Sequence, residues 1–72
     1  MSPACCRFDG VVNRIESGVA YATLRTNGET LASRFRAADL ARHGIGERQR
    51  FTLWTMRGEM VAIEAVTPNP SK

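Results

Sequence analysis

Apolar positions recur along this chain in short alternating stretches separated by glycine-containing breaks, the period-2 signature of strands that bury one face. Arg7 to Glu16 reads as a first strand in which Phe8, Val12 and Ile15 are the core contacts. Those three are not in strict alternation, so a β-bulge, one extra residue in the strand, is expected near Gly10 or Asn13. Glu16-Ser17-Gly18 turns the chain. Val19 to Arg25 and Glu29 to Arg36 are the second and third strands. Asn27-Gly28 between them is the strongest short-range hairpin signal, because both central residues of a type I′ turn need positive φ.

That turn sets a register. Pairing outward from Thr26 with Glu29 places Leu24 opposite Leu31, Ala22 opposite Ser33 and Ala20 opposite Phe35, a nearly continuous apolar face. The reverse face carries Arg25 with Thr30, Thr23 with Ala32 and Tyr21 with Arg34. It is cationic and holds one aromatic ring.

Ala37 to His43 predicts a short helix, favoured by its Ala and Leu and ended by Gly44. His43 then supplies a favourable charge at the negative pole of that helix. Gly46-Glu47 leads into a fourth strand, Arg48 to Thr55. For the last hairpin, a two-residue loop at Arg57-Gly58 would set Phe51 opposite Glu64 and pack a charge among core residues. A three-residue loop, Met56-Arg57-Gly58, pairs Phe51 with Ile63, Leu53 with Val61 and Arg50 with Glu64, and is the expected register. It leaves Trp54 and Met60 together on the outer face. Met1 to Cys6 and Thr67 to Lys72 read as terminal tails, the second carrying two prolines that forbid a ladder strand.

Strand, strand, strand, short helix, strand, strand predicts an all-β fold: a small five-stranded barrel, OB-like, with an SH3-like barrel as the alternative, and one helix between strands 3 and 4. At 72 residues the whole chain, 1–72, is one domain, since a second core would have too few apolar residues to close around. No apolar run approaches the ~18–20 residues of a membrane span, and the opening Met1-Ser2-Pro3-Ala4 lacks the features of a signal peptide. A soluble, cytoplasmic protein is the expectation.

Charge then narrows the partners. The chain carries +3, and every cation but Lys72 is an arginine, whose planar fork suits phosphates and stacks on bases. Chemistry of other kinds finds no support. Cys5 and Cys6 are adjacent, which strains a disulfide, and with His43 as the single histidine they lack the spacing of a zinc site. They read as reduced thiols, and no metal or cofactor is expected. Ser17, Ser33 and His43 form no nucleophile–base motif, Asp9 and Asp39 are far apart, and there is no glycine-rich phosphate loop. An enzyme is not expected.

Phe8-Asp9-Gly10 followed by Val12, the run Ala20 to Leu24, Asn27-Gly28, Leu31-Ala32, a short helical segment, Gly46 with alternating Phe51 and Leu53, and Gly58 in the last turn together resemble the S1-like OB-fold domains of the bacterial translation initiation factor one type. The similarity spans about residues 8 to 66. It implies the barrel and an RNA-binding face. After Leu31-Ala32 that family carries a histidine and a basic, glycine-containing loop, where this chain has Ser33-Arg34-Phe35-Arg36.

OB-type barrels stack bases on aromatics exposed by the second and third strands, while basic side chains follow the backbone. The candidate nucleic-acid face is therefore Tyr21, Thr23, Arg25, Arg34 and Arg36, taking single-stranded RNA or DNA. A solvated face with Arg34 lying over Tyr21 as a cation–π pair is the plainer reading of the same residues. The alternative function is a small protein-interaction or regulatory module whose partner binds at Trp54 and Met60 or along a strand edge, since aromatics and Met are enriched at such surfaces. Burial of Trp54 under the N-terminal segment, against the helix, where Leu40 needs an apolar partner, or against another subunit is preferred for this ring to a ligand-stacking role.

Overall fold

A computed structural model describes residues 5–66 of the chain. The described segment is all-β with one helical turn: β1 (Cys5–Glu16), β2 (Val19–Thr26), β3 (Glu29–Arg36), α1 (Ala37–Ala41), β4 (Arg50–Met56) and β5 (Glu59–Ala65). The strands form a single antiparallel sheet in the order β3-β2-β1-β4-β5, so β1 is central and hydrogen-bonded to both β2 and β4, while β3 and β5 are the edges. Cys5 and Cys6, expected in a tail, begin β1 instead, because β4 extends far enough to pair with them at Met56 and Thr55. The expected tail Thr67 to Lys72 lies outside the described residues, as do Met1 to Ala4.

The β2–β3 hairpin has the register that Asn27-Gly28 predicts, from Thr26 opposite Glu29 to Tyr21 opposite Arg34 and Ala20 opposite Phe35. Asn27 (φ 49°) and Gly28 (φ 83°) both take positive φ, as a type I′ turn requires. In β1 the bulge falls at Asn13: Val12 pairs with Ala22, yet Arg14 pairs with Tyr21. The extra residue lets Val12 and Ile15 both face the core.

The last hairpin departs from the expected register. Met56 pairs with Glu59 around a two-residue turn, Arg57 (φ 56°) and Gly58 (φ 83°), and a bulge at Val61 then shifts the pairing to Trp54–Ala62, Leu53–Ile63 and Phe51–Ala65. The tight turn is tolerated because the bulge moves Glu64 away from Phe51 and sets it opposite Thr52. Phe51–Ile63, Leu53–Val61 and Arg50–Glu64 are therefore not pairs.

One face of the sheet holds the core. Val12, Ala20, Ala22, Leu24, Phe51 and Leu53 are buried there, roofed by Leu40 of α1 and Ile45 of the following loop, with Phe8, Ile15, Phe35 and Ile63 packed partly buried around them. Each fully buried Leu, Ile or Phe contributes about 1.5–3 kcal/mol of transfer free energy. The ring of Phe35 meets that of Phe51 edge-on, centroids 5.9 Å apart at 86°. Gly10, opposite Phe51 across the β1–β4 ladder, leaves the space that this ring occupies.

Helix α1 is shorter than the sequence implies, ending at Ala41 rather than His43. Gly44 (φ 74°) closes it, its N–H donating to the Ala41 carbonyl and that of Ile45 to the Leu40 carbonyl. Its start is pinned where the Ala37 N–H donates to Gly18 in the β1–β2 turn, at 2.9 Å. The loop before β4 runs on along β1, with Arg48 donating to Val12 and Val12 to Gln49, so β4 begins at Arg50, two residues later than expected. The Gln49 side-chain amide ties the loop to Val66 at 2.9 Å.

Candidate nucleic-acid interface

Directly paired residues on antiparallel strands project to the same side of the sheet. Read across the ladders, the side away from the core carries Arg34, Tyr21 and Arg14 in one row, Arg36, Val19 and Glu16 in the next, and Ala32, Thr23, Val11 and Arg50 on the other flank. Beyond these come Thr30, Arg25, Asp9, Thr52 and Glu64, then Arg7, Trp54 and Ala62. Tyr21, Thr23, Arg25, Arg34 and Arg36 are thus brought together on one exposed face.

Sequence reading missed half of this surface. Arg14 reaches it only because of the bulge at Asn13, since strict alternation from Val12 would turn it inward. Arg7 and Arg50 reach it through the β1–β4 pairing, which joins segments about 40 residues apart and has no local signal. The bulge also lets Asn13 Nδ2 donate to Thr23 Oγ1 at 2.7 Å, fastening β1 to β2 at the centre of the face.

The cation over Tyr21 is Arg14, not the expected Arg34: the Arg14 guanidinium carbon stands 4.6 Å from the ring centroid. Arg14 also reaches Glu16 at 3.6 Å, and Arg7 reaches Asp9 at 3.5 Å; all four side chains are more than half exposed. Exposed pairs of this kind are worth about 0–1 kcal/mol, so a phosphate can compete for either arginine. Among the described residues no acidic partner engages Arg25, Arg34, Arg36 or Arg50. Two shallow depressions mark the face, one between Tyr21, Asn13, Thr23 and Arg34, the other between Thr23, Arg25, Val11, Asp9, Arg7 and Arg50. They share Thr23 as a common rim.

Trp54 and Met60 are not brought together. The bulge at Val61 sets Met60 opposite Thr55, on the core side, whereas Trp54 pairs with Ala62 on the outer side. Trp54 is half-buried and Met60 is exposed. Leu40 takes its apolar contacts from the core cluster on the face opposite Trp54, so the helix does not cover that ring. Among the described residues no cluster of His, Cys, Asp and Glu is arranged to hold a metal ion, and no helix is long and apolar enough to cross a membrane. No family model matches this chain, and neither a curated protein nor a solved structure matches it.

Proposed function

We propose that this domain is a non-catalytic module that binds single-stranded RNA or DNA on the arginine-rich outer face of its sheet. The observation that carries the reading is the Arg14–Tyr21 stack beside Arg34, flanked by Arg25, Arg36 and Arg50, which no carboxylate among the described residues engages. It is a π-platform set in a cationic track, the combination through which single strands are held without base-specific hydrogen bonds. The proposed architecture is an OB-type, partly open barrel. In support, β1 pairs with β2 and with β4 and a short helix joins β3 to β4, the arrangement in which only a β3–β5 contact remains to close the ring. S1-like kinship and a cytoplasmic setting go with this proposal.

Fluorescence anisotropy with labelled single-stranded oligonucleotides across a salt series tests it. Tyr21→Ala is expected to weaken binding by about 1–3 kcal/mol without altering the salt slope, because stacking releases no counterions. Arg34→Ala is expected to lower the slope by about 0.7, the contribution of one phosphate contact on a single strand. Absence of salt-sensitive binding at low ionic strength would refute the proposal. The competing reading, a protein partner at the β5 edge, is favoured by the exposure of Met60 and Val61 there; it expects no nucleic-acid affinity at physiological salt.

A further inference from the structure

Trp54 was expected at a protein contact beside Met60, yet it lies on the same side of the sheet as Tyr21 and the outer arginines. The register fixes how far apart the two rings are. Trp54 is paired with Arg7, and Tyr21 with Arg14, on opposite sides of β1. At 3.2–3.4 Å per residue and 4.7–4.9 Å per strand, the rings stand roughly 20 Å apart along β1 and about 10 Å across it. Thr23 and Arg25 on β2 and Arg50 on β4 flank the diagonal between them, with Arg7 on β1 beside Trp54, and all four border the larger depression. One carboxylate, Asp9, stands in that stretch, and it is held by Arg7.

Resting on the nucleic-acid reading above, we infer that a bound strand runs diagonally across β2, β1 and β4, one base stacked at Tyr21 and another at Trp54, with Arg25, Arg50 and Arg7 meeting the phosphates between them. A half-buried indole on the solvent side of a sheet, with an arginine opposite and the helix packed on the other face, is placed to receive a base on its exposed part. The two platforms make the site length-selective. An oligonucleotide too short to span both rings gains one stack, and one of about 4 nucleotides or more, the lower limit for OB-type sites, gains two.

The chain has a single tryptophan, so its fluorescence reports the second platform directly. The parent protein is titrated with homothymidine oligomers from about 2 to about 12 nucleotides, a range that brackets such sites. The expected result is binding by the shortest oligomers without quenching of Trp54, then a step in both quenching and affinity near 4 nucleotides. Trp54→Leu should remove the step, weakening longer oligomers roughly 5- to 150-fold, the worth of one base stack, while leaving the shortest unchanged. Trp54→Phe, which keeps a ring in the same fold, should retain most of it. Equal affinities of Trp54→Leu and the parent at every length, with Tyr21→Ala still impaired, would overturn this inference and leave the Tyr21 face standing. No binding at any length would overturn both.

Discussion

Gly10→Ala should cost this domain a large part of its stability, and the structure gives the magnitude. A Cβ built on Gly10 meets the Phe51 ring at 2.5 Å and 2.7 Å and a Leu24 methyl at 2.8 Å, all well inside van der Waals contact. Relief requires the Phe51 ring to move. That ring is 1 % exposed and braced edge-on by Phe35, so retreat disturbs the centre of the core. Forcing one extra methyl into such a site costs about 1–3 kcal/mol. A domain of this size commands only about 3–5 kcal/mol in total, and each kcal/mol moves its melting temperature by about 4–8 °C. At the middle of that range, about 2 kcal/mol, a fall of about 8–16 °C is therefore expected, read by far-ultraviolet circular dichroism on heating and by Trp54 fluorescence in urea, with an unchanged urea slope. In a Phe51→Leu background the same substitution should cost less by about 1 kcal/mol, since the branched side chain no longer lies across β1. A Gly10→Ala melting temperature within about 2 °C of the parent, or an equal loss in both backgrounds, would refute the claim that this glycine exists to admit the Phe51 ring.

Two further outcomes follow from local geometry. Arg57 (φ 56°) and Gly58 (φ 83°) both take positive φ, the type I′ form, which costs a long side chain more than Asn; Arg57→Asn is expected to add about 0.5 kcal/mol in urea unfolding, and a lower midpoint would contradict the type I′ reading of this turn. Asp9 is the carboxylate among Arg7, Arg25 and Arg50 on the outer face; Asp9→Asn should free Arg7, raise oligonucleotide affinity at low salt and steepen the salt slope by up to about 0.7, and weaker binding would count against the proposed path.

How much of this was legible beforehand depended on how local each determinant is. Asn27-Gly28 specifies its hairpin through two backbone angles, and the pairing of Tyr21 with Arg34 follows by counting. The second hairpin could not be counted in the same way. Two devices, a tight turn at Arg57-Gly58 and a bulge at Val61, keep Glu64 clear of the core together, while the sequence suggests a single longer loop that would do so alone. That one choice misplaced Met60 and joined it to Trp54. The site was half legible for a related reason: the arginines of β2 and β3 are neighbours through a hairpin, whereas Arg7 and Arg50 meet only through the long-range β1–β4 ladder.

The bulge at Asn13 also bears on how such a surface changes by descent. Side chains along β1 alternate between core and solvent, and the extra residue, fastened to Thr23, works as a half-period phase shift halfway along the strand. Loss of the Asn13 codon would leave Val12 opposite Ala22 and Arg14 opposite Tyr21 in an unbroken ladder, with Arg14 and Glu16 still outward and Ile15 still on the core side, and would remove only the amide that fastens β1 to Thr23. Gain of that codon, in an ancestor with a regular strand, would have set the amide at the centre of the face in one step while every neighbour kept its side. On a sheet built this way, an insertion or deletion of one residue that a bulge absorbs edits a single position of the outer face and leaves the residues around it facing as before.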